Sequence, residues 1–133
     1  MRHLGRLVPA VLVVAALTGC GDDEQPAGAP PADSTRLTVE VTGAGADPVT
    51  VELSCGGAEP CDEQRLARLQ RVTEPPDPSQ ACTLVYGGPE KAHVTGTLDG
   101  EAVDVTIDRA DGCGIADYKA LFEALGRTPP LAG

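Results

Sequence analysis

Leu37-Thr38-Val39-Glu40-Val41-Thr42 alternates apolar and polar residues, and Val49-Thr50-Val51-Glu52-Leu53 repeats the pattern after a turn over residues 43–48. Successive side chains of a strand point to opposite faces, so each stretch reads as a half-buried strand with one apolar side. The short turn between them makes the two an antiparallel pair. A second hairpin follows downstream, where residues 92–98 and 102–107 flank Asp99-Gly100, a two-residue turn of the type that twisted strands favour. Between the two hairpins, Asp62 is the expected N-cap of a helix with Leu66, Leu69 and Val72 on one face. Pro75-Pro76-Asp77-Pro78 ends that helix and starts an extended segment. A last helix is expected from an Asp117 cap, with Tyr118, Leu121, Phe122 and Leu125 on one face, Gly126 at its end and Pro129 beyond. The expected fold is therefore α+β: an antiparallel sheet with two helices over residues 36–128, followed by a tail of residues 129–133. The sequence contains no internal repeats.

The first residues speak to compartment. Met1-Arg2-His3-Leu4-Gly5-Arg6 is positive, and the apolar run over residues 7–17 is broken only by Pro9. That run is too short to span a bilayer as a helix and fits the core of a signal peptide. It closes on Leu17-Thr18-Gly19-Cys20, which resembles the lipobox of bacterial lipoproteins, where the cysteine thiol takes a diacylglyceryl group before cleavage. The resemblance implies removal of residues 1–19, lipidation of Cys20 and an extracytoplasmic protein anchored to the cell membrane. Residues 20–35 are then the lipidated cysteine and a tether rich in Asp, Glu, Gly, Ala and Pro.

Cysteine parity and charge agree with that reading. Five cysteines are an awkward number for an oxidised protein, but lipidation of Cys20 leaves Cys55, Cys61, Cys82 and Cys113 for two disulfides. Four cysteines allow three pairings, and spacing alone does not choose among them. With 2% aromatic residues the core is small, and bridges that persist outside the cytoplasm would reinforce it. Loss of Arg2 and Arg6 takes Lys plus Arg from 10 to 8 against 20 Asp plus Glu, so the formal charge moves from −10 to −12. A domain this acidic is repelled by nucleic acid and by anionic membrane surfaces, so no nucleic-acid partner is expected.

Enzyme chemistry finds little purchase. The chain after Cys20 carries one histidine, His93, within an expected strand, and no Gly-x-Ser-x-Gly elbow. His93 reads as a surface or packing residue. No Cys-x-x-Cys pair offers a zinc or redox site. Asp108-Arg109-Ala110-Asp111-Gly112 lacks the alternating ligands and closing Glu of a calcium loop and reads as a turn. No enzyme activity, metal or cofactor is expected.

Gln80-Ala81-Cys82-Thr83-Leu84-Val85-Tyr86-Gly87-Gly88-Pro89 is the segment that asks for a role. Composition alone is equally consistent with a buried strand whose cysteine is bridged. The order of parts around it resembles the Streptomyces subtilisin inhibitor family, which has two strands, a cysteine pair, a helix, a reactive loop opening at a third cysteine, a hairpin, and a fourth cysteine before the last helix. Val51-Glu52-Leu53-Ser54-Cys55 is similar to the end of that family's second strand, and Cys61 with Leu66 and Leu69 to its helix. Cys82-Thr83-Leu84-Val85-Tyr86 stands where the family carries a Cys-Pro-Met-Val-Tyr type of loop. Leu98-Asp99-Gly100, the strand through Thr106, and Cys113 are similar to its hairpin and last cysteine, so the resemblance covers residues 37–122.

The resemblance implies pairings Cys55–Cys61 and Cys82–Cys113, a scissile bond at Leu84–Val85, and a serine endopeptidase of subtilisin or chymotrypsin type as partner. It also implies a homodimer, because the family commonly dimerises through its sheet. Residues 82–86 further resemble the reactive loop of Kazal-type inhibitors, where Cys-Thr-Leu precedes the cleaved bond. The two folds are unrelated, so what they share is the physics of the protease cleft. An extended segment pairs with the protease's edge by main-chain hydrogen bonds, and one side chain fills the specificity pocket. The function expected is a secreted, membrane-tethered inhibitor; the alternative is a lipoprotein binding module of the same fold that has lost inhibition. Three departures stand out: Thr83 replaces the usual proline, the Cys55–Cys61 loop is shorter than the family norm, and Gly87-Gly88 follows the scissile bond. Each glycine there is expected to add freedom that binding must remove, which favours the alternative.

Overall fold

The computed structural model describes residues 33–133. The expected signal peptide of residues 1–19, Cys20 and the part of the expected tether up to residue 32 lie outside the described residues. Six elements follow one another: β1 (Thr35–Thr42), β2 (Val49–Cys55), α1 (Glu63–Thr73), β3 (Lys91–Leu98), β4 (Glu101–Asp108) and α2 (Gly112–Leu125). The four strands form one antiparallel sheet in the order β2-β1-β3-β4.

Alternation in β1 decides which face is covered. Leu37, Val39 and Val41 are buried, while Arg36, Glu40 and Thr42 face solvent. Val39 lies opposite Val51 on one side and Val94 on the other, so one apolar layer runs across three strands. Helices α1 and α2 close that layer with Leu69 and Val72 from the first and Leu121, Phe122 and Leu125 from the second. Burying each such side chain is worth about 1.5–3 kcal/mol. Tyr118 and Phe122 stack at 4.9 Å between ring centroids. On the opposite face His93 Nε2 meets Asp104 Oδ1 at 2.8 Å, both half-exposed or more. Among the described residues no helix is long and apolar enough to cross a membrane.

Local signals explain most boundaries. Asp62 caps α1 by accepting from the Arg65 N–H at 2.8 Å. The helix ends at Glu74, which turns to an extended ψ of 149° because Pro75 excludes a helical neighbour. Asp99 and Gly100 both have positive φ, 51° and 80°, as a type I′ hairpin turn requires. Helix α2 ends in a Schellman motif, with Gly126 at φ 66°, its N–H on Glu123 C=O, and Arg127 N–H on Phe122 C=O.

One sequence expectation needs correction, and the two ends of the domain gain detail. The α2 cap is Asp111, which accepts from the Gly114 N–H at 2.8 Å, and not Asp117. Asp117 lies one and a half turns inside the helix, its carboxyl raised by burial and by Asp111. Cys113 therefore sits in the first turn of the last helix and not before it. Glycines at 112 and 114 disfavour helix locally, and tertiary anchoring overrides them. At the start of the domain, next to residue 36, β1 is tied to the second hairpin. Thr35 is buried, its Oγ1 accepts the Asp99 N–H at 3.0 Å, and the Ser34 carbonyl accepts the Gly100 N–H at 3.1 Å. The tail of residues 129–133 is tied back to the domain: Tyr118 Oη donates to Pro130 C=O at 2.7 Å, and the Ala132 N–H donates to Glu90 at 2.6 Å.

Candidate functional site

Residues 74–90 connect α1 to β3 without regular structure. The approach is ordered by an Asx turn, in which the Asp77 carboxylate accepts from both Ser79 Oγ (2.6 Å) and Ser79 N–H (2.8 Å). Those bonds hold the Asp77 carboxyl below its ordinary value.

At the crest, Leu84 is 99% exposed, Tyr86 68% and Val85 57%. Among the described residues, these contiguous three stand with only Val49 and Leu131 as large apolar side chains in solvent. Of the chain's three Phe and Tyr residues, two pack in the core and the third is displayed here. A buried strand, the reading that composition left open, does not occur here.

The exposed crest is held on both sides against the segment that leads into α2. Before it, a disulfide joins Cys82 to Cys113, and the Thr83 carbonyl accepts the Gly112 N–H at 2.9 Å. After it, the Gly87 N–H donates to Arg109 C=O at 2.8 Å. Leu84, Val85 and Tyr86 thus form a bridge between two main-chain anchors. The second disulfide, Cys55–Cys61, closes the end of β2 elsewhere.

Glycine makes these close approaches feasible. A Cβ on Gly112 would collide with Thr83 Oγ1. A Cβ on Gly87 would lie 2.5 Å from Ile115 Cγ1 and 3.2 Å from Arg109 Cβ. Gly88 has φ 140°, a conformation that side-chain-bearing residues rarely adopt, and a Cβ there would meet the Glu90 carboxylate. The two glycines were expected to loosen the loop; instead they are packed against Ile115, Arg109 and Glu90.

Beneath the exit lies a group that the sequence reading passed over. The Glu90 side chain is 2% exposed and its Oε2 pairs with Arg109 Nη1 at 2.6 Å. Burial alone would raise the Glu90 carboxyl, but the Ala132 N–H, its own N–H and Arg109 outweigh burial and hold it below its ordinary value. The Arg109 guanidinium also stands 5.6 Å from the Tyr118 ring centroid. Burial, and then the Glu90 charge, push the Tyr118 phenol up to about 12, against the pull of Arg109. The register of the second hairpin carried the missing signal. Lys91 pairs with Asp108, so one further step along the same ladder sets Glu90 across from Arg109.

Cys82, Asp111 and Cys113 bring three candidate metal-ligating atoms within 4.8 Å of one another. Both sulfurs are spent in the disulfide, and a metal would need thiolates. His93 lies in β3, paired with Asp104 on the outer face of the sheet, whereas the loop packs against residues 109–115. What this site offers is a displayed apolar tripeptide on a fixed frame, a geometry suited to being bound. No family model, curated protein or solved structure matches the chain.

Proposed function

We propose that the chain is an inhibitor of serine endopeptidases of the subtilisin or chymotrypsin type, with a subtilisin-inhibitor-like fold. The reading includes the lipid anchor on Cys20, so that the inhibitor acts outside the cytoplasm at the membrane, and no catalysis of its own. One observation carries it: Leu84 is 99% exposed at the crest of a loop pinned on both sides. A lone exposed leucine would say little, but Leu84, Val85 and Tyr86 together make a contiguous apolar patch in solvent, and such patches mark interaction sites.

The mechanism follows from that arrangement. Residues 82–86 add to the edge of the protease cleft by main-chain hydrogen bonds, and Leu84 enters an apolar specificity pocket. Leucine suits such a pocket and suits an acidic, trypsin-like one badly. The loop loses little entropy on docking because its anchors already fix it, so more of the contact energy appears as affinity. After attack at Leu84–Val85, Cys82 holds the acyl side and Gly87 holds the amine side, so re-formation of the bond competes with hydrolysis. The alternative, a binding module without inhibition, rested on freedom at Gly87 and Gly88; their packing against Ile115, Arg109 and Glu90 withdraws that support.

Leu84→Asp is the test. The side chain touches solvent alone, so folding stability stays within about 0.5 kcal/mol of the parent. Binding loses the buried leucine and must desolvate a carboxylate, so inhibition weakens about a thousandfold. A variant that inhibits subtilisin as well as its parent sinks the assignment of Leu84 to the pocket.

A further inference from the structure

The two sides of the loop are held by different means. Cys82 on the entry side is covalently fixed to α2, whereas the exit side has no covalent tie and is held by the main-chain bond from Gly87 to Arg109 and by the packing of Gly87 and Gly88 on Ile115, Arg109 and Glu90. That bond is only as firm as Arg109. Its guanidinium is fixed by Glu90 Oε2, and Glu90, being buried, needs donors on both oxygens. The second donor is the Ala132 N–H, at 2.6 Å from Oε1. The Tyr118 hydroxyl, in turn, binds Pro130 C=O and seats this stretch of chain.

We propose that residues 130–132 are a strap that, through Glu90, positions Arg109 and so holds the amine half of the cleaved loop for religation. The inference rests on the inhibitor reading and deepens it. In the covalent step the protease serine oxygen bonds to the Leu84 carbonyl carbon and the Leu84–Val85 C–N bond breaks. The serine proton passes through the protease base to the Val85 nitrogen. Religation reverses each transfer; attack by water instead leaves a carboxyl on Leu84 and frees the serine. Which route wins depends on how long the Val85 amine stays in place, and Gly87, two residues on, is its nearest anchor. Glu90, Tyr118 and residues 130–132 are positioning residues, since none reaches the reacting atoms.

The experiment compares the parent protein with Glu90→Gln and with a deletion of residues 130–133, each incubated with catalytic subtilisin. Two quantities are read: the rate of cleavage at Leu84–Val85, and amide hydrogen exchange at Gly87 against core amides such as Val94. Loss of a charge-assisted bond predicts cleavage faster by about tenfold in both variants. Gly87 exchange should rise by a similar factor, with Val94 changed much less. Cleavage and Gly87 exchange unchanged in both variants overturn the strap, as does Gly87 exchange rising only in step with Val94, which would mean general destabilisation. A parent protein that fails to slow subtilisin at all defeats the inhibitor reading instead. The selective rise at Gly87 then still decides whether residues 130–132 hold the loop.

Discussion

Breaking the Cys82–Cys113 bridge separates the two jobs that the structure gives it, stabilising the domain and holding the loop. The bridge spans 31 residues, and Cys55–Cys61 spans 6. In the chain-entropy account, the first constrains the unfolded chain by about 3.7 kcal/mol and the second by about 2.2 kcal/mol. A domain of this size loses about 4 °C of Tm for each kcal/mol. Replacing Cys82 and Cys113 by serine should therefore lower Tm by about 15 °C, and the same change at Cys55 and Cys61 by about 9 °C. Both variants remain folded at low temperature if the parent lies within the usual span of about 5–15 kcal/mol. The loop should then tell them apart. Without Cys82–Cys113 its entry side keeps only the Thr83 to Gly112 bond, whereas loss of Cys55–Cys61 leaves both anchors intact. Thermal unfolding followed by circular dichroism gives the midpoints. Limited subtilisin digestion well below both midpoints gives the cleavage rate at Leu84–Val85. Equal cutting of the two variants, or a larger loss of Tm from the shorter bridge, would refute the reasoning.

Two further outcomes follow from the frame beneath the loop. Gly88→Ala should destabilise by about 1–3 kcal/mol, because it forces a positive φ on alanine and drives Cβ into the Glu90 carboxylate; a variant that unfolds at the parent's temperature or above it would mean that Gly88 is free, not packed. The Tyr118 phenol has its folded value raised from 10.0 to about 12, so its contribution is complete below pH 10 and is lost as pH climbs through that interval. Thermal midpoints should fall across that window in the parent and more shallowly in Tyr118→Phe, and equal slopes would remove the effect from Tyr118.

Much of the sheet is legible in the sequence because one of its faces is buried. Alternation at residues 37–42 survives as Leu37, Val39 and Val41 inward, and Asp99-Gly100 sets the register of the second hairpin without help from the core. The start of α2 is not legible in the same way. Asp117 followed by Tyr118 looks like a local cap and face, but the helix begins at Gly112, where Thr83 and Cys82 hold it from another part of the chain. At the loop, the order of residues 82–86 suggests display, yet the quality of that display depends on partners 20 to 30 residues away. Gly87 and Gly88 look flexible in isolation because nothing adjacent reveals Ile115 or Arg109 beneath them. Glu90 looks like any surface acid, and its burial depends on an arginine across the hairpin and a peptide N–H near residue 132. The Glu90–Arg109 pair was within reach by extending the hairpin register one step, whereas the strap over it was not.

The most direct test of the central claim is an active-site titration of subtilisin and of chymotrypsin with the protein. The account predicts linear, stoichiometric loss of activity toward a small substrate, with the Leu84–Val85 bond largely intact in protein recovered from the complex. Full protease activity at micromolar protein, or rapid and complete cutting after Leu84, would contradict it.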